Sequence, residues 1–66
     1  MKQIYERIAS DIKERGFKQT AIAEKIGVRP DVLGNMLNGR RNITAEEYEK
    51  LCIALERDPN YYMKTL

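Results

Sequence analysis

The sequence predicts an all-α fold of five short helices, and three observations support this prediction. Apolar residues recur three and four positions apart along most of the chain, as on the buried face of an amphipathic helix. Glycine or proline stands at most of the predicted helix boundaries, where these residues favour a stop or a start. The T-x-x-E pattern of Thr44 and Glu47 is a capping box, which marks a helix start.

The second and third helices form the unit around which the rest is arranged. The second is predicted over Gln19–Ile26 and the third from about Pro30 to Leu37, with Gly27 at the turn between them. Two amphipathic helices joined by a short turn that contains glycine form a helix-turn-helix unit. Such a unit leaves the outer face of its second helix free to enter a DNA major groove.

Three more helices are predicted around this unit. The first covers residues 2–15, where isoleucines at i, i+4 and i+8 form one apolar stripe. The fourth begins after Thr44 and runs to about Leu55. A fifth, short helix is expected to begin at Asp58 and Pro59, because aspartate is a good N-cap and proline suits the first helical position.

The same stretch carries an ordered set of residues that continues through most of the chain. The set consists of Gln19, Ile22-Ala23, Gly27, Leu33, Asn38-Gly39-Arg40, Leu51 to Leu55 and Asp58-Pro59-Asn60-Tyr61. With this set the chain resembles the phage-repressor and Cro-like family of XRE-type helix-turn-helix regulators. The resemblance implies a compact five-helix lambda-repressor-like DNA-binding domain. It also implies binding of double-stranded DNA and regulation of transcription, as a repressor of the prophage or bacterial type.

Composition favours one globular domain over residues 1–66, since 42% of the residues are hydrophobic and 33% are charged. No apolar run approaches the roughly 18–20 residues of a membrane span, and the charged N-terminus is unlike a signal peptide. A single cysteine, Cys52, and no histidine exclude an internal disulfide and a zinc site with nitrogen or sulfur ligands. We therefore expect a cytoplasmic protein without a metal, a cofactor or a small-molecule ligand.

Charge is unevenly distributed along the chain. Residues 1–43 carry nine Lys/Arg and five Asp/Glu, a net charge of +4, whereas residues 44–66 carry three and five, a net charge of −2. A polyanion is attracted to the first part and repelled by the second.

The outer face of the third helix carries the candidates for reading bases, because Leu33, Met36 and Leu37 are expected to face the core. These candidates are Arg29, Asp31, Val32 and Asn35. The amide of Asn35 matches the N6 and N7 groups of adenine, which makes it the strongest candidate. Asp31 either accepts a hydrogen bond from cytosine N4 or serves only as an acid at the helix start.

A second set of residues is expected to contact DNA phosphates. It comprises Lys18, Gln19, Asn38, Arg40, Arg41 and Asn42. The resemblance implies the role of Gln19, since free N–H groups at a helix start favour anions. Arg40 and Arg41 follow the third helix directly and would flank the groove; the alternative is that they belong to an ordinary solvated loop.

A weak homodimer on a palindromic operator is expected, because one helix-turn-helix reads only a few base pairs. The surplus apolar surface that could form it lies at the C-terminus, in Tyr61, Tyr62, Met63 and Leu66. One of the two tyrosines should close the core, and the sequence does not distinguish which.

Two other kinds of protein are alternatives to a DNA-binding regulator. An enzyme is disfavoured, because there is no histidine and no carboxylate pair in a recognisable pattern. A protein-interaction module on the same fold, such as an antitoxin-like partner or an adaptor, is the main alternative. Asp31 and Gly34 favour it slightly, whereas Gln19 and the Arg40-Arg41 pair favour DNA.

Overall fold

A computed structural model describes residues 3–63 of the chain and shows four α-helices in this range. They are α1 (Ile4–Glu14), α2 (Gln19–Ile26), α3 (Pro30–Leu37) and α4 (Ala45–Leu55). The bounds of α2 and α3 are those predicted, and α4 follows its cap Thr44 as expected. Within residues 3–63, no helix combines the length and the apolarity that crossing a bilayer requires.

The prediction of a fifth helix is wrong for the residues that the structure describes. Residues 59–63 form turns, in which the N–H of Tyr61 donates to the carbonyl of Asp58 at 2.8 Å and the N–H of Met63 to that of Asn60 at 3.2 Å. These bonds reach back three residues, one fewer than in an α-helix. The Asp58 carboxylate also accepts from the N–H of Asn60 at 2.8 Å, which stabilises a turn.

One hydrophobic core joins the four helices. α2 packs against α3 and α4, and α1 packs against α3. Cys52 is among the buried residues, and burial raises the pKa of its thiol. The core consists of Ile8, Ile12, Ile22, Ala23, Ile26, Leu33, Met36, Leu37, Leu51, Cys52, Leu55 and Tyr62. The apolar stripes predicted for the helices therefore do face inward, except that Ile4 at the start of α1 stays partly exposed.

All four helices end in the same hydrogen-bond pattern. After α2, the N–H of Val28 donates to the carbonyl of Ala23 at 3.0 Å, and Gly27 takes a left-handed φ of 78°. This Schellman arrangement favours glycine at the left-handed position. The ends of α1 and α3 also have glycine there, but α4 places Glu56 in it, with a φ of 56°.

A buried carboxylate ties α1 to the C-terminal segment. The side chain of Asp11 is 8% exposed and accepts two hydrogen bonds from Arg57, at 3.0 and 3.1 Å. It also accepts from the hydroxyl of Tyr62 at 2.6 Å and from Arg15 at 3.3 Å. Burial by itself raises the pKa of Asp11, but these hydrogen bonds outweigh burial, and the pKa lies below its usual value.

Two arginines on α1 extend this connection. Arg7, one turn before Asp11, donates to the carbonyl of Tyr62 at 3.0 Å, and Arg15, one turn after it, donates to the carbonyl of Leu55 at 2.8 Å. Three charged residues at i, i+4 and i+8 therefore hold the end of α4 and the turns that follow it. This spacing is visible in the sequence, but the contact surface that it forms was not predicted from it.

α1 also packs on the loop that follows α3. The ring of Tyr5 lies so close to Gly39 that a Cβ built on this glycine would stand 2.5 Å from a ring carbon. The φ of Gly39 is 76°, which disfavours any other residue as well. The contact fixes the loop that carries Arg40 and Arg41 against the first helix.

Candidate nucleic-acid interface

α3 separates its residues into a buried and an exposed face. Leu33, Met36 and Leu37 are at most 5% exposed. The opposite face presents Arg29, Pro30, Asp31, Asn35 and Asn38 to the surface. Val32 is half-buried and packs against the core, so of the four predicted base-reading residues it is the least accessible.

Two of the predicted base-reading residues contact each other. The Nε of Arg29 lies 3.2 Å from the Oδ1 of Asp31, at the start of α3. Both side chains are well exposed, so the pair contributes little to stability, and solvent or a ligand can replace either partner.

Asn35 connects the outer face of α3 to the loop behind it. Its carbonyl accepts hydrogen bonds from the N–H groups of Arg40 at 3.0 Å and Arg41 at 3.2 Å. Its side chain is exposed and makes no hydrogen bond to another side chain within the described residues. The amide is therefore free to contact an external group, while the backbone beneath it is fixed.

The two loop arginines differ in their surroundings. Arg40 and Asn42 are exposed, and Arg40 takes part in no ion pair within residues 3–63. Arg41 instead donates two hydrogen bonds to the carboxylate of Glu47 on α4, at 3.0 and 2.9 Å. From the sequence, Glu47 was predicted only as a member of the capping box, and its pair with Arg41 was not predicted. The one available signal was the capping box itself, because it places Glu47 in the first turn of α4, directly after the loop.

The start of α2 holds the remaining phosphate candidates. Lys18 is the N-cap residue of α2, makes no capping hydrogen bond, and is followed by the exposed Gln19. Helix starts without a side-chain cap leave N–H groups available to water or to an anion. Within residues 3–63, no hydrogen bond or ion pair joins this helix start to the loop after α3.

The predicted dimer residues lie in different environments. Tyr62 is 1% exposed and belongs to the core, so of the two tyrosines it is the one that closes the core, and it is not available as a dimer contact. Tyr61 and Met63 are 46% and 53% exposed, and the ring of Tyr61 receives the guanidinium of Arg57 at 4.2 Å. Leu66 lies outside the described residues. The hydroxyl of Tyr62 donates a hydrogen bond to Asp11, which holds the tyrosine ring in the core.

The two helices α2 and α3, the glycine turn between them and the polar outer face of α3 define a helix-turn-helix protein. A family model described as helix-turn-helix matches residues 8–62. The chain accordingly belongs to the XRE/Cro-like helix-turn-helix family and is a DNA-binding regulator of this general kind. Comparisons with curated proteins and with solved structures gave no match.

Proposed function

We propose that this protein binds double-stranded DNA sequence-specifically with α3 in the major groove and represses transcription. The two-faced character of α3 carries the proposal, since Leu33, Met36 and Leu37 are buried while Asn35 and Asn38 are exposed. A surface helix with a polar outer face can enter the groove and hydrogen-bond base edges. We assign base readout to Arg29, Asp31, Val32 and Asn35.

Phosphate contacts are proposed on both sides of this helix, because such contacts position a protein on the duplex. The proposed residues are Lys18, Gln19, Asn38, Arg40, Arg41 and Asn42. The net charge of +4 on residues 1–43 supports this assignment, since it attracts a polyanion to this part of the chain.

Selection of bound sequences from a random duplex pool tests the proposal most directly. Wild type should enrich one motif, and Asn35→Ala should relax the preference at one base pair and cost about 1–3 kcal/mol on the preferred site. Arg40→Ala is the matched variant: it should weaken binding to all duplexes alike and reduce the salt slope by about one unit. A pool that yields no motif for wild type would contradict sequence-specific binding.

A weak two-fold homodimer on a palindromic operator completes the proposal. Its contact surface is assigned to the exposed side chains of Tyr61 and Met63, with Leu66 as a further member. Pairing two copies doubles the number of base pairs read, which a single helix-turn-helix needs for specificity against a genome.

A protein partner for the α3 face is the second candidate, and the exposed carboxylate of Asp31 is the observation that favours it. A carboxylate on this face is repelled by a DNA backbone but suits a basic protein surface. The two candidates differ in salt dependence, because DNA binding releases counterions in proportion to the phosphates contacted.

A further inference from the structure

The guanidinium of Arg41 is occupied by a carboxylate of the protein itself. Its two terminal nitrogens, Nη1 and Nη2, donate to Oε1 and Oε2 of Glu47 at 3.0 and 2.9 Å. This planar, two-point arrangement is the one with which arginine also binds a phosphate group. Glu47 therefore fills the position that a DNA phosphate would take on Arg41.

Glu47 is the fixed partner of this pair. Its Oε1 also accepts from the N–H of Thr44 at 3.0 Å, and its own N–H donates to the Thr44 hydroxyl at 3.1 Å. Its side chain is 18% exposed, against 42% for Arg41. The hydrogen bonds from Arg41 and then from the Thr44 backbone lower the pKa of Glu47 to about 2, so it is ionised at neutral pH.

We propose that Glu47 binds Arg41 in the DNA-free protein and that a backbone phosphate of duplex DNA replaces Glu47 as the partner of Arg41. Because the Arg41–Glu47 pair must break before the phosphate binds, Glu47 lowers the affinity for DNA. This inference rests on the proposed function, because it requires Arg41 to contact phosphate. It adds Glu47, a residue that touches no DNA in this scheme, to the residues that set binding strength.

The exchange is energetically accessible. Breaking an ion pair with this degree of exposure should weaken the equilibrium constant for DNA binding by less than about fivefold. When Arg41 leaves, Glu47 keeps its hydrogen bonds with Thr44, so the cap of α4 is preserved. Arg40, which takes part in no ion pair within residues 3–63, can bind a phosphate without any such exchange.

Glu47→Gln tests the proposal, with Glu46→Gln as the matched control. Glutamine also serves in a capping box, so α4 should stay formed, and thermal unfolding by circular dichroism checks this. Glu46 is its neighbour, and its nearest cation is Lys50 at 3.5 Å rather than Arg41. On a non-specific duplex, Glu47→Gln should bind about three- to fivefold tighter than wild type, and Glu46→Gln less than about twofold tighter.

A double-mutant cycle separates exchange at Arg41 from the general loss of a negative charge. In an Arg41→Ala background, the gain from Glu47→Gln should fall to that of Glu46→Gln. A gain that persists without Arg41, or a Glu47→Gln variant that binds no tighter than the control, overturns the inference. A wild-type protein that shows no salt-dependent binding to any duplex overturns the proposed function, and the inference with it.

A measurement on the wild-type protein does not depend on how Glu47→Gln or Arg41→Ala folds. The side-chain Nε–Hε signal of Arg41, assigned by comparison with Arg41→Lys, is followed by NMR without and with duplex. Displacement of Glu47 changes the environment of the guanidinium, so the signal should move on saturation. A signal that stays in place while the backbone signals of α3 shift would show that Glu47 remains bound, which contradicts the exchange.

Discussion

Asp11 stabilises the fold through its hydrogen bonds with Arg57, Tyr62 and Arg15. Asp11→Asn keeps the shape but removes the charge that Arg57 and Arg15 face, so it should lower the free energy of unfolding by about 2 kcal/mol at pH 7. Glu14→Gln, an exposed acid on the same helix, is the control and should change it little. Urea unfolding followed by circular dichroism measures both.

The pH dependence of the same variant has a defined sign. The pKa of Asp11 is lower in the folded protein than in the unfolded chain, so its contribution is complete above about pH 4 and is lost as the pH falls through the folded value. The difference in stability between wild type and Asp11→Asn should therefore be constant from pH 7 to about pH 5 and shrink below about pH 4. A difference independent of pH down to acid unfolding would contradict a charged role.

Gly34 offers a way to separate folding from DNA contact. Apart from its chain neighbours and the backbone of its own helix, no atom of residues 3–63 lies within 4 Å of a Cβ at this position, so Gly34→Ala should raise the free energy of unfolding by about 1 kcal/mol through helix propensity alone. If α3 approaches DNA closely, the added methyl group should weaken duplex binding in the same variant. Thermal unfolding and duplex titration are compared. A more stable variant with unchanged affinity would show that close approach does not require the glycine.

Individual contacts were predictable only when their signal was local. The capping hydrogen bonds of Thr44 and Glu47 follow from residues three apart, and the structure confirms them. The hydrogen bonds from Arg57 and Tyr62 to Asp11 join residues 46 and 51 positions apart, and no spacing rule links such residues. The Arg41–Glu47 pair depends on the path of a loop, which sequence periodicity does not describe.

At the scale of helices, the bounds of α2 and α3 agree with the sequence because three of their four ends carry local signals, the exception being the uncapped start of α2 at Lys18. Gly27 and Gly39 stop the two helices, and Pro30 starts the second. The fifth helix failed for a related reason. Asp58 and Pro59 do begin a turn, but the start signal does not determine whether the turn continues into a helix. The buried ring of Tyr62 and the hydrogen bonds of the turns hold residues 59–63 in turns instead of a helix.

The end of α4 can be improved by substitution. Glu56 adopts a left-handed conformation, which costs a non-glycine residue roughly 1–2 kcal/mol. Glycine avoids this cost, but it also makes the unfolded chain more flexible, which cancels part of the gain in stability. Glu56→Gly should therefore raise the free energy of unfolding by about 0.5–1 kcal/mol. Gly27→Ala, the reverse change at the end of α2, should lower it by at least as much. Equal melting temperatures for Glu56→Gly and wild type would show that the strain is relieved elsewhere.

For the molecule as a whole, the proposed dimer can be tested with a substitution that leaves the fold of the monomer unchanged. Met63→Asp replaces an exposed apolar side chain that the core does not include, so circular dichroism should show an unchanged fold. Cooperative filling of two half-sites on a palindromic duplex should be lost, because a charge at the proposed contact opposes pairing. Tyr62→Asp should instead unfold the protein, since it puts a carboxylate in the core beside Asp11. A folded Met63→Asp variant that still binds cooperatively would place the dimer contact elsewhere.

The bond between the first helix and the last turns also has a consequence during synthesis. Ribosomes synthesise the chain from its N-terminus, so the residues of α1, α2 and α3 have been made before Arg57 and Tyr62. Asp11 then has neither of these partners, and the long loop that brings them to α1 can close only after they have been made, at an entropic cost. Helix α3 therefore leaves the ribosome before the C-terminal contacts that complete the fold have formed. We expect a nascent chain to acquire its stable structure only after residue 62 has cleared the exit tunnel.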